Sequence, residues 1–183
     1  MENKKEYKKL SFREIKDIVS KYRKTLEDDK CDDIPGYTFE DIDFTNENLN
    51  LYNINFEGCS FYNCKFDGVN LTEGMNFSEN CTFYKCSFKN ANLKRANFEY
   101  ANIDNCDFSN ADLSYVKFNN TCIENCDYWS AIMKYADFTE SKLSYNNFEL
   151  SKLDHANFLD SELTIDEKYN GHIPYMLSWV NEE

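Results

Sequence analysis

Glycine and proline are scarce, five and two in 183 residues, and histidine occurs only at 155 and 172. So little glycine argues against a phosphate-cradling loop, and neither G-x-G-x-x-G nor G-x-x-x-x-G-K-[ST] is present. Two histidines leave little imidazole chemistry, and His155 has no serine or cysteine nucleophile set against it in the pattern described below. Lysine and arginine number 20 against 33 aspartates and glutamates, a net charge of −13, which excludes direct binding of nucleic acid through a phosphate-neutralising surface. No apolar stretch is long enough to span a membrane, or to form the core of a secretory signal after Lys4, Lys5, Lys8 and Lys9. The expected location is therefore the cytoplasm, and the eight cysteines are expected as reduced thiols. The length suits one domain with short appendages.

What the chain does have is a period. From Phe83 to Leu163 every fifth residue is large and apolar, seventeen in succession, and two residues before each stands something mostly small, as at Ala91, Ala96, Cys106, Ala111 and Cys126. On a helix the small and large positions would lie about 200° apart and successive units would precess, smearing the apolar residues around the cylinder. In an extended chain residues two apart share a face, so both point inward and the remaining polar pair turns a corner. Each pentapeptide is a very short strand plus a bend, and bends of one sense wind the chain into a coil.

A second period sets the coil size. Phe88, Phe98, Phe108, Phe118, Tyr128, Phe138, Phe148 and Phe158 are aromatic, whereas the centres between them, Leu93 to Leu163, are aliphatic. If like stacks on like, the number of units per turn is even. Two would leave no interior, so four units and twenty residues make the smallest workable coil. Phe98, Phe118, Phe138 and Phe158 then form one column, rings about 4.8 Å apart, with Phe88, Phe108, Tyr128 and Phe148 opposite.

Units such as Ala91-Asn92-Leu93-Lys94-Arg95 and Ala111-Asp112-Leu113-Ser114-Tyr115 resemble the A-(D/N)-L-x-x consensus of the pentapeptide repeat family. The resemblance covers residues 37 to 163 and implies an all-β solenoid, a right-handed quadrilateral β-helix, here of about six coils. Upstream the spacing is less regular, with a two-residue slip from Leu49 to Leu51 and six-residue steps from Leu71 to Phe77 and from Phe77 to Phe83. Thr72 to Asn80 is expected to be a bulged stretch whose corners carry extra residues.

Three segments follow: 1–36, an N-terminal helix and linker; 37–163, the β-helix; and 164–183, a C-terminal cap or dimerisation segment. Ser11 with Glu14 reads as a capping box and Leu10 with Ile15 as a hydrophobic staple. The apolar face of that helix, to about Leu26, would cover the open first coil or bind a partner. At the other end Thr164 and Glu167 could cap a short helix, and Ile173, Tyr175, Met176, Leu177, Trp179 and Val180 either fold back as a second cap or pair two chains. Similarity to topoisomerase-acting members of the family, whose C-terminal region makes the dimer, favours a homodimer.

Cys59, Cys64, Cys81, Cys86, Cys106 and Cys126 fall on the inward small position and are read as core volume. Because they follow the repeat rather than converge, no metal or other cofactor is expected. No catalytic residue is expected either, since the coil is filled by its own side chains. On the surface Arg95, Tyr115, Tyr135 and His155 line up by twenties as one corner, with Trp129 and Ile132 on or beside the wall it borders, a candidate partner surface. The negative charge lies in the coil: residues 1–30 sum to +3, 31–163 to −13 and 164–183 to −3. The expectation is a non-catalytic interaction protein acting through an acidic β-helical surface on a protein partner. The resemblance also implies an alternative, a DNA mimic of the Qnr or MfpA type that binds DNA gyrase through acids such as Asp112 and Asp137. The chain lacks the long loops of the Qnr type, and its long N-terminal helix departs from the MfpA layout.

Overall fold

Alternation of inward apolar and outward polar residues is compatible with strands only as long as the chain stays extended, and here it bends every five residues. The strands are accordingly two or three residues long. In the computed structural model the described residues are 8, 9, 11, 13–15, 17, 37–45, 56–72 and 75–164. They contain β1 (Lys8–Lys9), β2 (Thr38–Glu40), β3 (Ile42–Asp43), β4 (Ser60–Tyr62), β5 (Thr82–Tyr84), β6 (Asn102–Asp104), β7 (Cys122–Glu124), β8 (Lys142–Ser144) and β9 (Glu162–Thr164). Strands β2 and β4 to β9 stack in one parallel seven-stranded sheet, which makes about six turns. The other three sides are held by single parallel bridges such as Asp107↔Asp127, Asp112↔Ile132 and Lys117↔Asp137, each spanning one coil. This is the four-sided β-solenoid expected, with twenty residues per turn. We number its faces 1 to 4 in chain order, starting from the stranded side.

The irregular start is also as expected. Phe39, Phe61 and Phe83 are consecutive rungs of face 1 at 22-residue spacing, and the spacing falls to 21 between Asn76 and Asn97 before settling at twenty. The corner after Phe77 carries the bulge, with Glu79 and Asn80 both at positive φ, 52° and 68°. Leu49 and Leu51 lie outside the described residues.

Inside, the columns form. Phe98–Phe118 and Phe118–Phe138 stack with ring centroids 5.2 and 5.1 Å apart, and Phe88–Phe108 and Phe108–Tyr128 at 4.8 and 5.0 Å. The two columns meet edge to face across the interior, as in Phe108–Phe118 at 6.4 Å. Face 1 alone changes character, from Phe39, Phe61 and Phe83 to Ile103, Ile123 and Leu143. Tyr128 is the polar intruder: fully buried, its hydroxyl has no hydrogen-bond partner among the described residues. Tyr128→Phe is therefore expected to stabilise the fold by about 1 kcal/mol, since it removes an unsatisfied buried donor without changing ring packing. A lower thermal midpoint for the variant would show that the hydroxyl is satisfied.

The consensus acid or amide has a physical reason. Asp107, Asp112, Asp127 and Asp137 each accept, through Oδ1, the backbone N–H two residues on, at 2.9 to 3.0 Å, and Asn97 and Asn147 do the same at 3.0 Å. These Asx turns satisfy an amide the bent strand cannot pair. The corner residue itself, every fifth from Lys85 to Asp160, is left-handed, with φ between 53° and 62°. Asparagine suits that conformation, but tyrosine, leucine and histidine also occupy it, so the array imposes it.

At the N-terminal end, Ser11 and Glu14 form the capping box: Ser11 N–H and Oγ–H donate to Glu14 Oε2 at 2.7 and 2.8 Å, and Glu14 N–H donates to Ser11 Oγ at 3.2 Å. Residues 13–15 and 17 are helical, and Ile15 is buried within the core. Leu10 and the continuation to Leu26 lie outside the described residues. The sequence reading missed β1, which pairs in parallel with β3 and so adds a rung before the first coil. The predicted C-terminal helix lies outside the described residues.

Candidate interaction surface

Each face presents the residue before and the residue after every buried centre, and each corner presents the left-handed residue. Sorting charges this way shows an uneven rod. Face 4 and the corner after it carry Glu57, Glu79, Glu99, Asp137, Glu140 and Asp160 against Lys117 alone. Face 1 carries Glu40, Asp41, Asp104, Glu124 and Glu162 against Lys85 and Lys142, and face 2 is similarly acidic. Face 3 has the opposite sign: Lys94, Arg95, Lys134 and Lys152 outnumber Asp112 and Asp154.

The acids divide into two kinds. Asp112 and Asp137 are half-buried turn acceptors, each also taking a hydroxyl hydrogen bond at 2.6 Å, from Ser114 and Thr139. Asp107 is a third: burial works against its charge, but Lys89 Nζ at 2.8 Å and the Ser109 N–H and hydroxyl hold its carboxyl below the usual range. Glu40, Glu124, Glu140 and Asp160 are instead exposed.

The predicted aromatic corner is a continuous ladder between faces 3 and 4. Tyr115 and Tyr135 stack at 4.9 Å and 8°, Tyr135 and His155 at 4.8 Å and 11°, and the Arg95 guanidinium lies 5.8 Å from the Tyr115 ring centre. Both tyrosines are nearly half exposed, at 45% and 46%. Trp129 projects from face 2 and Ile132 from face 3, on either side of the preceding corner, where Leu150 is also exposed. Leu150 and Leu159 were not singled out from sequence, although both positions can be found by counting in twenties. Ile173, Tyr175, Met176, Leu177, Trp179 and Val180 lie outside the described residues.

The six inward cysteines are buried free thiols, and Cys122 is exposed on face 1. Burial pushes the Cys81 thiol up to about 12 and Cys106 well above its ordinary value, so both stay protonated. Five of them do more than fill space, and one of these, Cys81 at the corner after face 4, donates Sγ–H to the Phe56 carbonyl at 2.9 Å. At the three corners other than that after face 1 the small residue's N–H closes a turn onto the preceding centre's carbonyl, as Ala91 does to Phe88, Ala96 to Leu93 and Ala101 to Phe98, with Cys81 and Thr121 exceptions among the described residues. At the corner after face 1 no such bond forms among the described residues. There Cys64 and Cys86 direct Sγ–H to the Phe39 and Phe61 carbonyls of the preceding coil at 3.4 and 3.3 Å, whereas Cys106 and Cys126 lie nearer the Asp104 and Glu124 carbonyls of their own corner, at 3.4 and 3.2 Å, than those of Phe83 and Ile103, at 3.6 and 3.7 Å. Asn146 ends the column with an amide in the thiol's place.

No group of three or more His, Cys, Asp or Glu among the described residues is placed to hold a metal ion. No helix there is long and apolar enough to cross a membrane.

The chain matches the family model "Pentapeptide repeat region" over residues 81–158 and "Pentapeptide repeats (8 copies)" over 47–73. No curated protein matches. Among solved structures it is similar to Rfr23, a pentapeptide repeat protein of the cyanobacterium Cyanothece 51142, at 12% identity and TM-score 0.38, covering 59% of this chain and 88% of that one. A pentapeptide repeat protein of the Arabidopsis thaliana thylakoid lumen aligns at 19% identity and TM-score 0.35, over 68% and 74%. QnrB1, a plasmid-mediated fluoroquinolone resistance protein, aligns at 20% identity and TM-score 0.33, over 77% and 86%. At these identities no residue role transfers from them. The two family models together span more than half of the sequence, and over the described residues 56–72 and 81–158 they match the stretch where coil, Asx turns and inward columns are observed, so the chain belongs to the pentapeptide repeat family.

Proposed function

We propose that this protein is a non-catalytic interaction protein of the cytoplasm whose acidic coil faces bind the basic, nucleic-acid-binding surface of a protein partner. Family members are generally structural or interaction proteins rather than enzymes. The observation that carries the reading is the arrangement of carboxylates in rows at coil spacing on faces 1, 2 and 4 of a rod about 30 Å long, at about 4.8 Å per coil. Duplex DNA carries one negative charge per about 1.7 Å, so a surface built for DNA meets a comparable density of like sign. The specific partner proposed is DNA gyrase, with inhibition or protection as the outcome. Burial of the thiols in reduced form fits a reducing compartment.

The test must spare the turns, which rules out reversing Asp112 and Asp137. Asp104 and Glu124 stand next to each other in one outward column of face 1; neither accepts a backbone turn N–H, and among the described residues Asp104 Oδ1 takes only the exposed side-chain amides of Asn105 and Asn125. In a supercoiling assay with and without a fluoroquinolone, the protein is expected to inhibit or protect gyrase in a salt-sensitive way. Asp104→Lys with Glu124→Lys should weaken that effect on the order of tenfold or more. No effect at concentrations well above the enzyme's would remove gyrase as the partner. An effect indifferent to both salt and charge reversal would remove the acidic faces as the contact.

A further inference from the structure

Faces 3 and 4 are neighbours, opposite in sign, and built on the same coils. The aromatic ladder runs along the corner where they meet. A solenoid that lays its face 3 against face 4 of a second copy, axes parallel, turns that copy by a quarter turn. Repeating the operation closes after four copies, with every Tyr115–Tyr135–His155 corner turned to the common axis. A closed ring permits no slip along the axis, so facing residues come from the same coil, and their identities can be read off.

They fit. In such a contact the residue after each face 3 centre meets the residue before the face 4 centre. Lys134 then opposes Asp137, Ser114 opposes Lys117, and Asp154 opposes Asn157. Toward the outer edge Lys152 opposes Leu159 and Asp160, Asn92 opposes Glu99, and Asp112 opposes Asn119. Away from the axis, where the four copies of Arg95 converge, no pair of like charges faces across the contact. Lys94, Arg95 and Lys152 have no ion-pair partner among the described residues of their own chain. Leu159, 54% exposed, comes to lie against this cationic face. The tyrosines are stacked on one another and present their edges, which suits packing among four symmetry-related corners better than stacking of nucleotide bases between rings.

We propose that this chain self-associates side by side, face 3 on face 4, into a closed ring of four parallel solenoids with the aromatic corners at its axis. Each contact is narrow, so the assembly depends on every copy making two of them and is sensitive to salt. The ring covers face 4 but leaves faces 1 and 2 outward, including Asp104 and Glu124, so it is compatible with a partner bound through those two faces.

Sedimentation equilibrium of the full chain, across protein concentration at low and high salt, is the test. The expected result is a species of four times the 21.7 kDa monomer mass that dissociates as salt rises. Lys152→Glu or Asp160→Lys alone should shift it toward monomer by on the order of tenfold in concentration. The two together should restore it. Lysine is tolerated at the Asp160 corner conformation, since Lys85 already holds it. Arg95 is the one like charge that converges on the axis, so Arg95→Gln should tighten the ring. Circular dichroism of each variant separates loss of assembly from loss of fold. A monomer at all concentrations overturns the proposal. So does a two-copy species, or an assembly unmoved by these substitutions and abolished by Leu177→Asp in the C-terminal segment.

Discussion

Phe118→Ala is expected to destabilise the protein by about 3–5 kcal/mol, the usual cost of emptying a buried phenylalanine site in a core that cannot collapse. Phe118 is fully buried and is held by four rings: Phe98 and Phe138 stacked at 5.2 and 5.1 Å, and Phe108 and Tyr128 edge-on at 6.4 Å each. Relaxation is blocked in two directions. Along the axis, the coils are spaced by backbone ladders above and below; across it, the opposite column already fills the interior. For a chain of this size the loss corresponds to about 2–4 °C of melting temperature per kcal/mol. Because each coil touches only its neighbours, a gap in the middle also weakens coupling between the two halves, so the transition should broaden as well as shift. Tyr100→Ala, at the exposed corner after Phe98 one coil earlier, should cost less than about 0.5 kcal/mol. If Phe118→Ala costs no more than Tyr100→Ala in thermal or urea unfolding, the aromatic columns do not hold the coil.

The columns were legible because stacking converts a chemical alternation, Phe98 to Phe118 with Leu93 to Leu113, into a coil length. The corners were not legible in the same detail. A polar residue at every fifth position says that the chain turns, but Tyr115, Leu150 and His155 do not favour left-handed backbone, and only the closed geometry of the coil puts them there. Strand β1 was missed because Lys8–Lys9 carries no apolar alternation; its place comes from the edge that β3 offers. The aromatic corner was found by counting in twenties, and the same count applied to charge would have separated face 3 from the acidic faces. Net charge conceals this, because −13 is a sum over faces of opposite sign. Asp112 and Asp137 show why an acidic residue in this repeat is weak evidence of a binding surface: the turn requires an acceptor there whether or not a partner exists.

The corner after face 1 carries the other large expectation, and it concerns a position read from sequence only as small. Asn146 is buried, accepts the Cys126 N–H through Oδ1 at 2.8 Å, and donates from Nδ2 to the Ile123 carbonyl at 3.0 Å. One coil earlier a thiol makes the first of these contacts: Cys126 Sγ accepts the Cys106 N–H at 3.4 Å, while its own Sγ–H lies nearer the Glu124 carbonyl, at 3.2 Å, than that of Ile103, at 3.7 Å. An alanine at this corner would leave the amide of the preceding coil without a partner, because the turn bond that serves the other three corners is absent here. Asn146→Ala is therefore expected to cost about 2–4 kcal/mol, the penalty for an orphaned buried N–H together with a second lost hydrogen bond. Asn146→Cys should recover part of that loss, since sulfur is a weaker acceptor but occupies the same place. At the next corner Ala131 closes its own turn onto Tyr128 at 2.9 Å, so Ala131→Ser should leave no orphaned amide and show no comparable dependence on side-chain acceptors. Urea unfolding of the three variants decides it. Equal stability of the Asn146 alanine and cysteine forms would mean that the buried column of thiols fills volume and nothing more, whereas the predicted order makes those cysteines the hydrogen-bonding spine of the one corner the backbone leaves open.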